Sequence, residues 1–256
     1  MKVLVVGAGK MGQWFYDYFS KRGFEPYFFE INKSVATELE DKGYRFGELS
    51  SADSFDAVLC STNIKSVGDI ASKLAEEGFR KPFIEISGVK LPVIESLRRL
   101  ELPVSIHPLF GPGAKKLKGK RMVLVPVKDK EKELSAARSF FPEAEFIVRG
   151  AEEHDRMVSR TIQLVQLLSL IFNRLSPDEA WGTSTYMMRL VESTSLYGSE
   201  NLIREVFELN PYTGELRDEV EKVLKEVFSG NQRFKKKDYF EELYRKSYEI
   251  IEGDKA

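Results

Sequence analysis

The sequence predicts an α/β protein: a doubly wound, mostly parallel sheet over residues 1–150, followed by an all-helical domain over residues 151–256. Three observations carry this prediction. Short β-branched runs alternate with helix-patterned segments through the first half. A glycine turn, Gly7-Ala8-Gly9-Lys10-Met11-Gly12, stands between the first strand pattern and the first helix pattern. From residue 152 to residue 253 only helical periodicity recurs.

The elements follow in order. Residues 2–6 (KVLVV) read as a strand buried on both faces. Residues 11–22 read as a helix with Trp14, Phe15, Tyr18 and Phe19 on one face, stopped by Gly23. A strand at 26–31, a short helix at 34–42 and a strand at 55–61 (FDAVLCS) come next. A helix at 66–77, a strand at 82–86 (PFIEI) and a helix at 92–100 follow. Strands at 104–107 and 122–127 flank a loop rich in glycine and lysine, and a helix at 130–140 and a strand at 145–148 end the sheet. Beyond about residue 150, helices are expected at 155–175, 178–196, 200–209, 213–228 and 238–249, with Pro177, Pro211, Gly214 and Gly230 at or near the breaks.

Composition narrows the function. At 256 residues, the chain can bury a core without disulfides or metals. Its 39 Lys+Arg balance 40 Asp+Glu, so no global field points to nucleic acid or an anionic membrane. One cysteine, Cys60, precludes an internal disulfide or a cysteine-rich metal centre, and two histidines leave little for a metal site. No apolar run approaches membrane-spanning length. No metal, nucleic acid or membrane partner is expected, and the cytoplasm is the expected compartment.

The glycine turn fits G-x-G-x-x-G in the strand–turn–helix context that makes the pattern meaningful. Gly7 allows the tight turn, Gly9 lets a pyrophosphate approach the backbone, and Gly12 allows close helix–strand packing. Lys10 and Met11 place their N–H groups in the first helical turn, where an anion is favoured. Glu30 ends the second strand, 18 residues after Gly12, where a carboxylate binds ribose hydroxyls and repels a 2′-phosphate. A Rossmann-type domain with NAD rather than NADP is expected, although Lys33 works against that preference. A glycine turn with no ligand is the other reading. Ser61 and Thr62 end a strand close to this region and either contact the cofactor or form a plain turn.

Residues 105–113 (SIHPLFGPG) form a stiff loop around His107, with two prolines and two glycines in the six residues that follow it. At a strand end, His107 can serve as a general base near neutral pH; a structurally bonded histidine is the alternative. Arg189 lies in an apolar helical pattern, where an unpaired cation is costly. Either a ligand carboxylate or an ion pair with Glu192 resolves that cost. Cys60 reads as a small buried hydrophobe. Lys115, Lys116 and Lys118 either draw in an anionic substrate or are simply solvated, and the basic stretch at 233–237 reads as a solvated helix start.

The GAGKMG turn, the HPLFGP loop and the Glu153-His154-Asp155-Arg156 segment together resemble the prephenate and arogenate dehydrogenases of tyrosine biosynthesis. The resemblance runs from Met1 through the helix at 178–196 and is weaker beyond. It implies a Rossmann domain and a helical dimerisation domain, hence a homodimer. It implies NAD(P)-dependent oxidative decarboxylation of prephenate to 4-hydroxyphenylpyruvate, or of arogenate to tyrosine. His107 matches the family's catalytic histidine, which takes the ring-hydroxyl proton as the C4 hydrogen leaves as hydride. His154 matches a second histidine of the substrate site, and Arg189 matches the arginine that binds a substrate carboxylate. Gln163, or Gln166 in another register, matches a glutamine of the first helical segment.

The chain departs from the family pattern at Gly88, which stands where a serine is usual; Ser87 is the candidate to replace it in catalysis. Because the chain opens on the first strand, no fused mutase is expected before it and no regulatory domain after it. Tyrosine inhibition would then act at the active site or at the dimer interface. The rival readings are another two-domain β-hydroxyacid or imine-type oxidoreductase, and an NAD-binding regulatory dimer without turnover.

Overall fold

The computed structural model describes residues 1–179, 182–198, 200–231, 234 and 237–253. Its chain divides into two compact units, Met1–Arg156 and Met157–Ala256. The first unit carries strands β1 (Lys2–Val6), β2 (Glu25–Phe29), β3 (Ala57–Cys60), β4 (Pro82–Glu85), β5 (Leu102–Pro108), β6 (Arg121–Leu124) and β7 (Glu145–Val148). Helices α1 (Lys10–Lys21), α2 (Lys33–Asp41), α3 (Ile64–Glu76), α4 (Leu91–Arg98) and α5 (Lys130–Phe140) connect them, with a short 3-10 turn at Leu49–Ser54. The strand order is β2-β1-β3-β4-β5-β6-β7. Neighbours from β2 to β5 are parallel, β5–β6 is antiparallel and β6–β7 is parallel. The doubly wound, mostly parallel sheet expected from the alternating pattern is therefore present. The chain leaves β1 for β2 on one side and returns to β3 on the other, which makes a switch point at the carboxyl ends of β1 and β3.

Why these segments form these elements is clear from burial. Val3, Leu4, Val5, Ala57, Val58, Leu59, Phe83 and Ile84 are fully buried, as strands covered on both faces require. On α1, Phe15 and Phe19 turn inward against Phe141, at ring distances of 5.6 and 5.8 Å. Gly23 ends that helix in the left-handed region, with φ of 78°. Asn32, Asn63 and Asp129 cap α2, α3 and α5 by accepting from backbone N–H groups of the first turn.

The second half departs from its expected bounds at three places, the last being the final helix, which covers Phe240–Glu252 rather than 238–249. Helical residues begin at Ala151 rather than 155, as α6 (Ala151–Val158), a π-helical stretch (Ser159–Gln163) and α7 (Leu164–Leu175). The apolar period starts late because Glu152 and Glu153 occupy the first turn, where acidic residues favour a helix start. Helix α8 covers Thr183–Ser195 rather than 178–196. Gly182, at φ of 82°, precedes it in a conformation no helix continues through, and residues 180 and 181 lie outside the described residues. Helices α9 (Glu200–Leu209), α10 (Thr213–Phe228) and α11 (Phe240–Glu252) complete the unit, and no strand follows β7 among the described residues. Of the basic stretch at 233–237, residues 233, 235 and 236 lie outside the described residues.

Phe19 is fully buried and Ile31 is 84% exposed. Phe19→Ala is expected to lower the unfolding free energy by about 3–5 kcal/mol. Ile31→Ala should stay within about 0.5 kcal/mol of the parent protein. Urea unfolding of the two variants checks both values.

Candidate functional site

The glycine turn leaves the carboxyl end of β1 and enters α1 with Gly9 as the residue before the first helical turn. No side chain caps this N-terminus. The three glycines differ in what surrounds them. A Cβ at Gly12 would lie 2.1 Å from the Gly7 carbonyl oxygen, so only glycine fits between helix and turn. Gly7 has a φ of 93° and packs against the Ser61 backbone. Gly9 is exposed with open space where a Cβ would stand, so its face of the turn is accessible. Exposed Lys10 and half-buried Met11 follow it. The arrangement is a cradle for an anion at a helix N-terminus.

Two neighbouring residues hold the cradle. The Ser61 hydroxyl, just past β3, lies 2.7 Å from the Gly7 carbonyl and 3.1 Å from that of Val6 as their donor. Glu30, just past β2, accepts from the Ala8 N–H at 2.9 Å and from the Asn32 N–H at 2.8 Å. It remains half-buried at the edge of the turn. Thr62 is turned toward Cys60, with Oγ1 and Sγ 3.3 Å apart. Burial pushes the Cys60 thiol up to about 11, which leaves it an inert hydrophobe.

Three strands along, a buried polar cluster occupies the ends of β4 and β5. Glu85 and Lys90 are both fully buried and pair at 2.7 Å. The Lys90 ammonium also donates to the Ile106 carbonyl at 2.7 Å. Glu85 accepts further bonds from the Ser105 hydroxyl and from both N–H and hydroxyl of Ser87. Ser87 shares its hydroxyl with the Val89 carbonyl, 3.0 Å away. The Ser87 side chain is thus engaged with Glu85.

The histidine partner is His154. His107 Nδ1 lies 2.9 Å from His154 Nε2, and His154 Nδ1 lies 2.7 Å from Asp155 Oδ1. The Asp155 carboxylate accepts from the backbone N–H groups of Lys90 and Leu91, at 2.9 and 2.8 Å. His154 is only 3% exposed, whereas His107 keeps part of its surface open. Burial, then His154 and Lys90, hold His107 well below the ordinary histidine value of 6.5, so it is neutral at pH 7.

The stretch after His107 is pinned to α1. Phe110 packs on Trp14 at 4.8 Å, and the Trp14 indole N–H donates to the Ala114 carbonyl at 2.6 Å. Leu117 is buried while Lys115, Lys116 and Lys118 are exposed.

Arg189 and Gln163 belong to the second unit. Arg189 pairs with Glu192 at 2.7 Å, donates to the Pro177 carbonyl, and lies 4.9 Å from the Phe172 ring centroid. Gln163 is fully buried in the π-helical stretch and donates to the Val206 carbonyl and the Thr213 hydroxyl. Its Oε1, like that of Gln166, has no hydrogen-bond partner.

The polar residues that reading the sequence overlooked are Glu85, Lys90, Ser105 and Asp155. Glu85 had a visible signal: a carboxylate inside the apolar run PFIEI requires a buried partner.

Comparison with solved structures places this architecture. No protein-family model matches the chain, and no curated protein matches it. The prephenate dehydrogenase of A. aeolicus, solved in complex with hydroxyphenyl propionate and NAD+, aligns with a TM-score of 0.71 at 19% identity, over 99% of this chain and 98% of that one. The arogenate dehydrogenase of Synechocystis aligns with a TM-score of 0.66 at 16% identity, over 98% and 99% of the two chains. The chain has the fold of these dehydrogenases. An imine reductase of Streptomyces aurantiacus is more distant, with a TM-score of 0.52 at 14% identity over 90% of this chain and 79% of that one.

The depressed His107 value links to stability. In the unfolded chain His107 binds its proton near pH 6.5, and in the folded chain only at lower pH. Its contribution is therefore present above 6.5 and is lost as the pH falls below it. His107→Asn should gain stability relative to the parent protein as the pH falls below 6.5, measured by urea unfolding at a series of pH values.

Proposed function

We propose that this protein is an NAD-dependent dehydrogenase that oxidatively decarboxylates prephenate to 4-hydroxyphenylpyruvate, or arogenate to tyrosine, in tyrosine biosynthesis. The observation that carries this reading is His107: neutral, partly open, and at the carboxyl end of β5 in the sheet whose β1 end forms the glycine cradle. The family resemblance of the HPLFGP loop and the fold similarity support it. A dinucleotide fits the residues present. Gly9 leaves open space at an uncapped helix start, and Glu30 offers a carboxylate beside the turn, which favours NAD over NADP.

Bound oxidised nicotinamide supplies the two-electron acceptor for the hydrogen on ring C4. His107 accepts the proton of the C4 hydroxyl as that carbon is oxidised. Carbon dioxide then leaves, the electron pair of its bond enters the ring, and His107 returns the proton to the phenolic oxygen. The imidazole thus holds the substrate's own proton between the two steps, and the reaction needs no net acid or base. Arg189 is assigned to a substrate carboxylate by the resemblance, in exchange for Glu192. Gln163 is read as a clamp within its unit that supports the substrate side indirectly, and Ser87 as a support for the turn after β4.

A second copy of the chain is the proposed partner. Val165, Leu168, Ile171 and Leu175 leave one stripe of α7 uncovered, with Leu175 80% exposed. Among the described residues no helix is long and apolar enough to cross a membrane. The single cysteine is buried and unpaired, in keeping with a reducing, cytoplasmic setting.

Purified protein with NAD+ and prephenate or arogenate should produce NADH, read by its absorbance; no NADH above background from either substrate overturns the proposal. His107→Asn should lower turnover roughly 10²–10⁴-fold. Gly9→Ala should fold normally and bind NAD+ more weakly by calorimetry. Gly12→Ala should lose at least about 1–3 kcal/mol of stability before any binding is measured, because its Cβ collides with the Gly7 carbonyl.

A further inference from the structure

His107 works as an acceptor only in one of its two neutral tautomers. With the proton on Nδ1, Nε2 carries the lone pair. With the proton on Nε2, that nitrogen donates and cannot take a proton from a hydroxyl. What stands behind the ring decides between them.

We propose that Asp155 and His154 are positioning residues that fix His107 in its Nδ1–H tautomer and so make Nε2 the proton acceptor. This rests on the proton-accepting role given to His107 above. The chain of reasoning begins at Asp155. Its carboxylate accepts from the backbone N–H groups of Lys90 and Leu91, so its contact with His154 Nδ1 is one in which the imidazole donates. A neutral His154 then presents a lone pair at Nε2. His107 Nδ1, 2.9 Å away, must donate to it, which leaves the His107 Nε2 lone pair for the substrate.

The opposite arrangement needs a protonated His154 donating through Nε2. The charged groups that act on the pair are Lys90, which bears on His107, and the Asp155 carboxylate of α6, which contacts His154. His154 is nearly inaccessible to water, and a full charge on a ring sealed from solvent is costly. The serine usual in the related family is absent, since Gly88 stands in its place, and Ser87 bonds Glu85 instead. The imidazole of His154, 47 residues further along, supplies the contact that holds His107 Nδ1. When His107 takes the substrate proton, its Nδ1–H bond to His154 becomes charge-assisted, with the Asp155 carboxylate next in line.

The chain contains two histidines only, so long-range ¹H–¹⁵N NMR reads both rings without crowding. His107→Asn assigns the two signals. At pH 7 both rings are expected as Nδ1–H tautomers in the parent protein; a His107 ring carrying its proton on Nε2 overturns the proposal. In Asp155→Asn the amide still accepts the backbone N–H bonds and now donates to His154, so both rings should flip to Nε2–H. Turnover of that variant should fall about 10²–10⁴-fold, by analogy with the carboxylate behind a catalytic histidine in serine proteases. KM should stay within about twofold, because no substrate contact is removed. Flipped rings with undiminished turnover would also overturn it. If neither prephenate nor arogenate is oxidised by the parent protein, the functional reading fails, while the tautomers still report whether Asp155 and His154 set the ring.

Discussion

The buried ion pair between Lys90 and Glu85 is the constraint on which the rest of the site depends. Two full charges without exposure are expensive, and their attraction offsets that cost only when the remaining hydrogen-bonding capacity is filled. Here it is filled. Glu85 accepts from Lys90, from Ser105 and twice from Ser87, and Lys90 donates to Glu85 and to the Ile106 carbonyl. Burial lowers the Lys90 ammonium below its ordinary value, and Glu85 works in the opposite direction. An apolar pair of similar volume would be at least as stabilising. It would not hold the carbonyl that precedes His107, and it would not fix the turn whose N–H groups grip Asp155. The pair is best understood as a geometric device: it sets the end of β5 and the start of α4 relative to each other, and the two histidines inherit that spacing.

The sheet topology explains why cradle and histidine sit on one edge. Strands β1, β3, β4 and β5 are parallel neighbours, so all four carboxyl ends face the same side. From the Gly7 turn to His107 is three strand steps, about 14 Å at 4.7–4.9 Å per step. The antiparallel β6 then pairs with the last residues of β5, with His107 opposite Val123. That ladder, together with the Trp14 contacts to Phe110 and Ala114, stiffens the proline–glycine stretch from both sides. A side chain in such a setting loses little entropy on meeting a ligand.

How much of this was legible in the sequence depended on range. Elements governed by local pattern, such as β1, β7, α5, α9 and α10, have the bounds that periodicity and turn residues predict. The start of α6 was misplaced because acidic first-turn residues carry the signal there, and apolar spacing does not. The glycine fingerprint was legible because three residues within six encode one turn. The His107–His154 contact was not, since it joins β5 to α6 across 47 residues and no local rule relates them. Asp155 escaped for a related reason. Next to a histidine on a helix it looks like an ordinary polar residue, and its role appears only when the Lys90 turn is folded against it.

The two cationic side chains singled out by burial illustrate opposite solutions to the same electrostatic problem. Lys90 is sealed with its acid and is unavailable to any ligand. Arg189 is paired as well, but the pair is only partly covered, at 24% and 11% side-chain exposure for Arg189 and Glu192. Asn173 and then Arg189 hold the Glu192 carboxyl below its ordinary range, so the resting pair is charged. Arg189 therefore already has a carboxylate partner, and any carboxylate ligand would have to displace it. Such an exchange would gain only the difference between two similar contacts, so charge alone would select weakly.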